Sequence, residues 1–342
     1  MVKHSGQFKR VGGEKHVFPS FHEAADAVQV YLSEVPRGNC RAKAEGDKGG
    51  ELAGSVRVHD DGRGGTVFNE RTRECASWRE DAGRKMSYAE RRQWRIDSVV
   101  REAQKKERLE RERKDAAYTA SEIWRVSRPV VEHPYLTRKR IKPTSTSTMR
   151  EADASIVDEI LSGRGIRNDH GELYRTGLHG RLLVIPLQNK SSELQSLQFI
   201  DAKGKKQFMK TGRVGGLYWL SHPVEAYQSS TVIGIAEGMA TALSVELVKG
   251  FPCVAAMSSG NLGNVARLWA DRFRQGKRFL ILSDVGNGED DAREAAESIG
   301  ALCFKPPITD EVVRRFRLQT GGDKPTDWND FYIATGDLTN EG

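Results

Sequence analysis

The sequence predicts an α/β protein: a parallel sheet at the C-terminus, preceded by a mixed α+β subdomain and a small N-terminal β-containing unit joined by a basic helix. Three observations predict it. Beyond residue 228, four short apolar runs (TVIGIA, CVAAM, RFLILS and ALCFK) alternate with helical stretches, the pattern of parallel strands with right-handed crossovers. Residues 87–127 are good helix formers, with few apolar positions between 99 and 115. Residues 55–78 alternate and turn with the period of short strands.

Residues 1–16 read as a polar, disordered start. Ser20 sits as an N-cap with Glu23 three residues on, so a helix is expected from about Ser20 towards Leu32. Residues 37–50 are glycine-rich and charged and read as a loop. Ser55–His59, Thr66–Asn69 and Cys75–Trp78 read as strands, with a turn at 60–65, giving a small unit over residues 17–85. A charged linking helix over residues 86–130 follows, supported by the i,i+4 pairs Glu107–Arg111 and Glu110–Lys114 and stopped by Pro129. Residues 131–228 hold the basic knot Arg138-Lys139-Arg140 and the turn-forming KPTSTST. Strands are expected there at Arg181–Leu187, Glu193–Asp201 and Gln207–Lys210. In residues 229–342, strands at Thr231–Ala236, Cys253–Met257, Arg278–Ser283 and Ala301–Lys305 enclose helices at Gly238–Lys249, Leu262–Asp271 and Asp290–Ile299.

A chain of 342 residues fits two or three domains. Its net charge of +7 is unevenly spread: residues 1–230 carry 42 Lys and Arg against 31 Asp and Glu, whereas residues 231–342 carry 12 against 16. A basic front suggests a polyanion partner and an acidic end suggests something cationic, although a solvated charged helix needs no partner. No apolar run reaches the ~20 residues of a membrane span, and MVKHSGQFKR is not followed by the apolar core of a secretory signal. Cys40, Cys75, Cys253 and Cys303 are widely spaced, with no CxxC or HxxxH, so no zinc is expected and the thiols suit a reducing cytoplasm.

In an open α/β sheet, chemistry collects at the carboxyl ends of the strands. Glu237-Gly238 follows the first predicted strand of the C-terminal sheet, Ser258-Ser259-Gly260-Asn261 the second and Asp284 the third. Further on, DWND supplies Asp327 and Asp330. Clustered carboxylates with few histidines suit Mg²⁺ or Mn²⁺, which bridge phosphate oxygens. Taken singly, each acid also reads as the cap of the following helix. Lys203, Lys205, Lys206, Lys210 and Arg213 place five cations in eleven residues with no acid among them, a phosphate-contacting loop by composition or an exposed turn kept soluble by lysine. Trp124, Trp219 and Trp269 read as core or interface residues before base-stacking ones.

The segment EGMATALSVELVKGFPCVAAMSSGNL, with RFLILSDVGNGEDDAREAAE after it, resembles a Toprim domain, the catalytic module of bacterial-type primases, topoisomerases and some nucleases. The resemblance implies a Toprim-type (Rossmann-like) sheet, a catalytic glutamate at Glu237 and an Asp-x-Asp whose first member is Asp284. The second member is Gly286, a departure from that pattern; Glu289, Asp290 and Asp291 are the nearby substitutes. Asp327 or Asp330 resembles the third acidic site. Upstream, GRLLVIPLQNKSSELQSLQFIDAKGKKQFMKTGRVGGLYWL is similar to the segment that precedes Toprim in bacterial primases, with Arg181, Lys206 and Lys210 near the matching basic positions. His133-Pro134-Tyr135-Leu136 with Arg138–Ile141 resembles a segment of phage and plasmid primases, and the front unit resembles their DNA-recognition module without its zinc ligands.

The resemblance spans about residues 50–335 and implies a DNA primase of a mobile element, making short RNA primers on a single-stranded DNA template from ribonucleoside triphosphates. Metal is expected at Glu237, Asp284, Asp327 and Asp330. Nucleic acid or nucleotide is expected at Arg138, Lys139, Arg140, Arg181, Lys203, Lys205, Lys206, Lys210 and Arg213. No GxxxxGK[ST] occurs, so any replicative helicase is expected in trans. The alternatives are a Toprim nuclease and a non-catalytic DNA-binding or regulatory Toprim protein; a topoisomerase is disfavoured.

Overall fold

The computed structural model describes residues 8–13, 16–59, 61–80, 87–144, 148–168, 171–273, 276–286 and 288–337. They divide into two compact units, one up to Glu102 and one from Ala103. Parts of the expected disordered start (1–7, 14–15), of the connector (81–86) and of the KPTSTST turn (145–147) lie outside the described residues.

The first unit contains β1 (Lys9–Arg10), α1 (Phe21–Ala27), β2 (Val30–Tyr31), β3 (Cys40–Ala44), β4 (Gly54–Val58), β5 (Gly64–Asn69) and β6 (Glu74–Arg79). The sheet order is β1-β6-β5-β4-β3-β2, and only the β1–β6 pair is parallel. Ser20 Oγ accepts from Glu23 N–H at 3.2 Å, as the spacing predicts. α1 covers one sheet face, where Phe21, Val56, Val67 and Trp78 close a core. Two expectations are corrected here. The loop expected over 37–50 contains β3, because Ala42 and Ala44 face the core while Arg41 and Lys43 face water; alanine made that alternation faint. The disordered start is interrupted by Lys9–Arg10, which pairs with Glu74 and Cys75.

The linking helix is α2 (Tyr88–Val126), 39 residues long. Its final turns bury Ala116, Ala120 and Ile123. The second unit continues with β7 (Arg128–Pro129), α3 (Pro134–Lys139), β8 (Arg150–Asp153), α4 (Ala154–Gly163), β9 (Arg181–Gln188), β10 (Leu194–Ile200) and β11 (Lys206–Phe208). These strands form an antiparallel sheet in the order β11-β10-β9-β8-β7. Its middle strand explains the apolar run RLLVIPL. Leu182 and Val184 pack towards α2 and α4, while Leu183, Ile185 and Leu187 pack with residues of the C-terminal sheet.

That third sheet contains β12 (Trp219–Leu220), β13 (Val232–Ala236), β14 (Cys253–Ala255), β15 (Arg278–Leu282) and β16 (Leu302–Phe304), ordered β12-β14-β13-β15-β16. All its pairs are parallel except β12–β14. The helices are α5 (Val224–Ser229), α6 (Met239–Lys249), α7 (Leu262–Arg272), α8 (Glu289–Ile299), α9 (Asp310–Thr320) and α10 (Trp328–Thr335). α7 and α8 share one core with the sheet, and α6 and α10 share another. β13 lies between β14 and β15, so strand order reverses there, and a crevice opens beyond the carboxyl ends of β13 and β15. Trp219 and Trp269 are fully buried core residues. Among the described residues no helix is long and apolar enough to cross a membrane.

Candidate active site

Glu237 is the first residue after β13. Its carbonyl accepts from Met257 N–H at 2.7 Å, which locks the β13 and β14 exits together. Gly288, at φ +96°, closes against it: a Cβ there would stand 3.2 Å from Glu237 Oε2 and 2.9 Å from Ser259 Cβ, so a side chain is excluded on both counts. Asp284 lies just beyond β15. The next residue, Val285, donates its N–H to Thr326 O at 2.7 Å, and this link draws the Asp327 loop to the strand end. Asp327 is the N-cap of α10, accepting from Asp330 N–H at 2.7 Å. The capping reading of Asp327 is thus observed, and the same residue stands at the strand ends.

Glu237, Asp284 and Asp327 line one cavity of about 280 Å³, with Lys139, Lys206 and Tyr135 also on its walls. Burial raises the Asp284 carboxyl to about 7, helped by the negative charges of Asp327 and Glu237. Its Oδ1 is buried without a hydrogen-bond partner. Burial also raises Glu237, against a backbone hydrogen bond from Ser259 and the charge of Lys206. Asp327 is raised by burial, with Lys139 opposing. Burial alone pulls Lys139 down, but Asp327 and Asp330 outweigh it and hold the ammonium protonated. The cavity concentrates negative charge in low dielectric and brings two lysines onto the same walls.

The remaining expected residues fall in several places. Asp330 is taken up internally: its carboxylate accepts from Lys139 Nζ at 2.9 Å and from Thr326 N–H at 3.1 Å. Arg140, in the left-handed region at φ 52°, braces α3 by donating to Ile333 O at 3.1 Å and to Gln319 Oε1 at 2.7 Å. Arg138 donates to Ala202 O at 3.0 Å. Lys205 Nζ donates to Gly177 O at 3.1 Å. Lys203 and Lys210 are exposed. Arg213 is half-buried, and burial together with Arg113 lowers its pKa. Arg181 lies 3.6 Å from Glu151. Of these nine basic residues, Lys139 and Lys206 line the cavity.

The substitutes for the missing aspartate at 286 also separate. Glu289 accepts from Gly286 N–H at 2.7 Å and pairs with Lys305 at 3.3 Å. Asp290 pairs with Arg293 at 2.8 Å. Asp291 alone of the three acts on Glu237, raising its pKa.

Two asparagines went unassigned in the sequence. Asn261 is buried at the end of the β14 loop; its Nδ2 donates to Ala256 O (2.7 Å) and Leu217 O (2.8 Å), and its Oδ1 accepts from Gly216 N–H (2.8 Å). It thus ties the segment before β12 to the sheet. Asn329, in the DWND stretch, donates to Lys139 O at 2.7 Å and to Ser244 Oγ at 2.8 Å, which fixes the backbone that carries Lys139. A strand-end position marked the first; nothing local marked the second.

Among the described residues, no group of three or more Asp, Glu, His or Cys is gathered closely enough to hold a metal ion by itself. A hard ion does not need one. Mg²⁺ is commonly held by one or two carboxylates, with substrate phosphates and water completing the shell. The all-oxygen pair Glu237 and Asp284, with Asp284 Oδ1 unpartnered and its charge disfavoured by burial and by Asp327, fits that mode.

Residues 232–337 match the Toprim domain family model. Two curated Escherichia coli proteins, each named DNA primase TraC, are similar to the chain. One is 27% identical over 276 residues, covering 78% of this chain and 24% of that protein. The other is 26% identical over 279 residues, covering 78% and 17%. The chain therefore spans about a quarter or less of the length of these relatives. Among solved structures, the Aquifex aeolicus primase (zinc binding and RNA polymerase domains) aligns with a TM-score of 0.42 at 13% identity, covering 89% of this chain and 77% of that one. The DnaG primase catalytic domain bound to ssDNA aligns at 0.40 and 12%, covering 57% and 74%.

Proposed function

We propose that this chain is a DNA primase, which makes short RNA primers from ribonucleoside triphosphates on single-stranded DNA in the replication of a mobile element. The observation that carries the reading is the cavity beyond β13 and β15, where Glu237, Asp284 and Asp327 share walls with Lys139 and Lys206. The Toprim match and the similarity to DNA primase TraC support it. Asp284, joined by Glu237 where that residue acts as a ligand, would hold a divalent ion, Mg²⁺ or Mn²⁺, which would neutralise triphosphate charge and act as a Lewis acid. Lys139 and Lys206 contact the triphosphate, and Glu237 serves as metal ligand or as general base. Positioning and charge neutralisation supply the rate enhancement, with no covalent intermediate on the protein. The template runs over the basic residues of the 203–213 loop, and DNA unwinding is assigned to a helicase in trans.

The test is primer synthesis on a single-stranded template with ribonucleotides and Mg²⁺ or Mn²⁺. Short RNA is expected from the natural chain and none from Glu237→Gln. DNA binding without product overturns the polymerase reading, and a cut template supports the nuclease. One observation favours the non-catalytic reading: Gly286 stands at an expected carboxylate, and Glu289 and Asp290 are engaged elsewhere. A Gly286→Asp variant run alongside separates the two, since activity that appears only in the variant means the natural chain binds without catalysing.

A further inference from the structure

Tyr135 is the second residue of α3 and is 2% exposed. Its backbone N–H donates to His133 Nδ1 at 3.2 Å. The Arg138 guanidinium and the Lys206 ammonium lie 5.8 and 5.9 Å from its ring centre. The ring is thus held firmly, yet its hydroxyl has no hydrogen-bond partner. Buried polar side-chain atoms find partners in the large majority of cases, and a tyrosine hydroxyl almost always does. Phenylalanine would fill the same space without the desolvation cost. The residue also lines the cavity of the proposed active site, together with Lys139, Lys206 and Asp284. Two groups on this wall therefore lack partners: a hydroxyl able to donate, and a carboxylate oxygen able only to accept or to bind a cation.

We propose that the Tyr135 hydroxyl is a ligand contact, donating to a phosphate oxygen of the nucleotide bound in this cavity. The assignment rests on the primase reading of the same cavity and adds a residue to it. The neighbouring charges select phosphate over base or sugar. Arg138 and Lys206 beside the ring, with Lys139 on the same cavity wall, make the surroundings cationic, which favours an anionic oxygen over a neutral base edge as the acceptor. The unpartnered hydroxyl is then a cost carried by the free protein and recovered when the ligand binds.

Tyr135→Phe in the full chain tests this with two readouts that move in opposite directions. Thermal unfolding without ligand should shift up by about 2–4 °C, the response to relief of a buried unsatisfied hydroxyl. Displacement of a fluorescent trinitrophenyl nucleotide by tripolyphosphate and by adenosine triphosphate should each weaken about tenfold or more, the range for a lost hydrogen bond to a charged oxygen. Adenosine alone should displace poorly from both proteins. Unchanged tripolyphosphate affinity overturns the proposal, as does a wild-type chain that binds no tripolyphosphate. A loss confined to adenosine triphosphate overturns the phosphate assignment. Failure of primer synthesis with Tyr135-dependent tripolyphosphate binding intact refutes the polymerase reading and supports this one.

Discussion

Replacing Asp284 by Asn separates the stability of the cavity from its chemistry. The Asp284 carboxyl is raised from 3.8 to about 7, chiefly by burial and then by Asp327 and Glu237. Each unit is worth 1.36 kcal/mol, so at pH 8 the ionised group costs the folded state up to about 4 kcal/mol. The sign follows from where the proton binds. Below about pH 4 the carboxyl is neutral in both folded and unfolded chains, and the penalty is absent. Between about 4 and 7 the folded chain keeps a proton that the unfolded chain has lost, so stability falls as pH rises; above about 7 the penalty is constant. Asp284→Asn removes the charge while keeping the shape. Its advantage over the natural chain should grow by about 2–3 kcal/mol between pH 5 and pH 8, measured by thermal unfolding with a chelator present. Adding Mg²⁺ at pH 8 should stabilise the natural chain and leave the variant nearly unmoved. A variant less stable than wild type at pH 8, or an advantage that does not change with pH, refutes the burial argument.

Lys139→Ala should destabilise the chain by about 2–4 kcal/mol at pH 8, because it leaves Asp330 and Asp327 without their cation, 2.9 and 4.0 Å away. The loss should shrink in acid as the Asp327 carboxyl, raised by burial, takes up its proton, and a double-mutant cycle with Asp330→Asn should return a coupling above about 1 kcal/mol. In the first unit, a Cβ at Gly65 would lie 2.2 Å from the Trp78 ring and 2.2 Å from Arg57 O. Gly65→Ala should therefore cost about 3 kcal/mol or more through overpacking, read as lost hydrogen-exchange protection of β5 and β6 amides. Native-like protection in that variant would show that the strand shifts to make room.

What was legible in the sequence depended on whether the determining interactions are local. β13 stands out because a strand buried on both faces reads as an unbroken apolar run, β15 stands out by its apolar run FLIL, and their ends then direct attention to Glu237 and Asp284. β3 does not stand out, because its inward residues are alanines set among charges. α3 is six residues long and capped by His133, whose imidazole is a rare N-cap, so no local signal marks it as a helix. α9 has an ordinary helix start, Thr309 followed by Asp310 and Glu311, and is legible from sequence.

The site divides along the same line. Strand-end acids follow from topology, whereas the pairing of Lys139 with Asp330 joins residues 191 positions apart and has no local trace. That pairing alters the meaning of the charge pattern. A count of cations in 138–140 suggests a surface for polyanions, but the fold uses Arg140 to brace helices and turns Lys139 inward to face the acidic loop. The polyanion surface and the carboxylate cluster, separate features in the sequence, meet at Lys139 and Lys206. A phosphate bound in the cavity would therefore compete with Asp327 and Asp330 for Lys139, which makes the strength of that ion pair a determinant of nucleotide affinity as well as of stability.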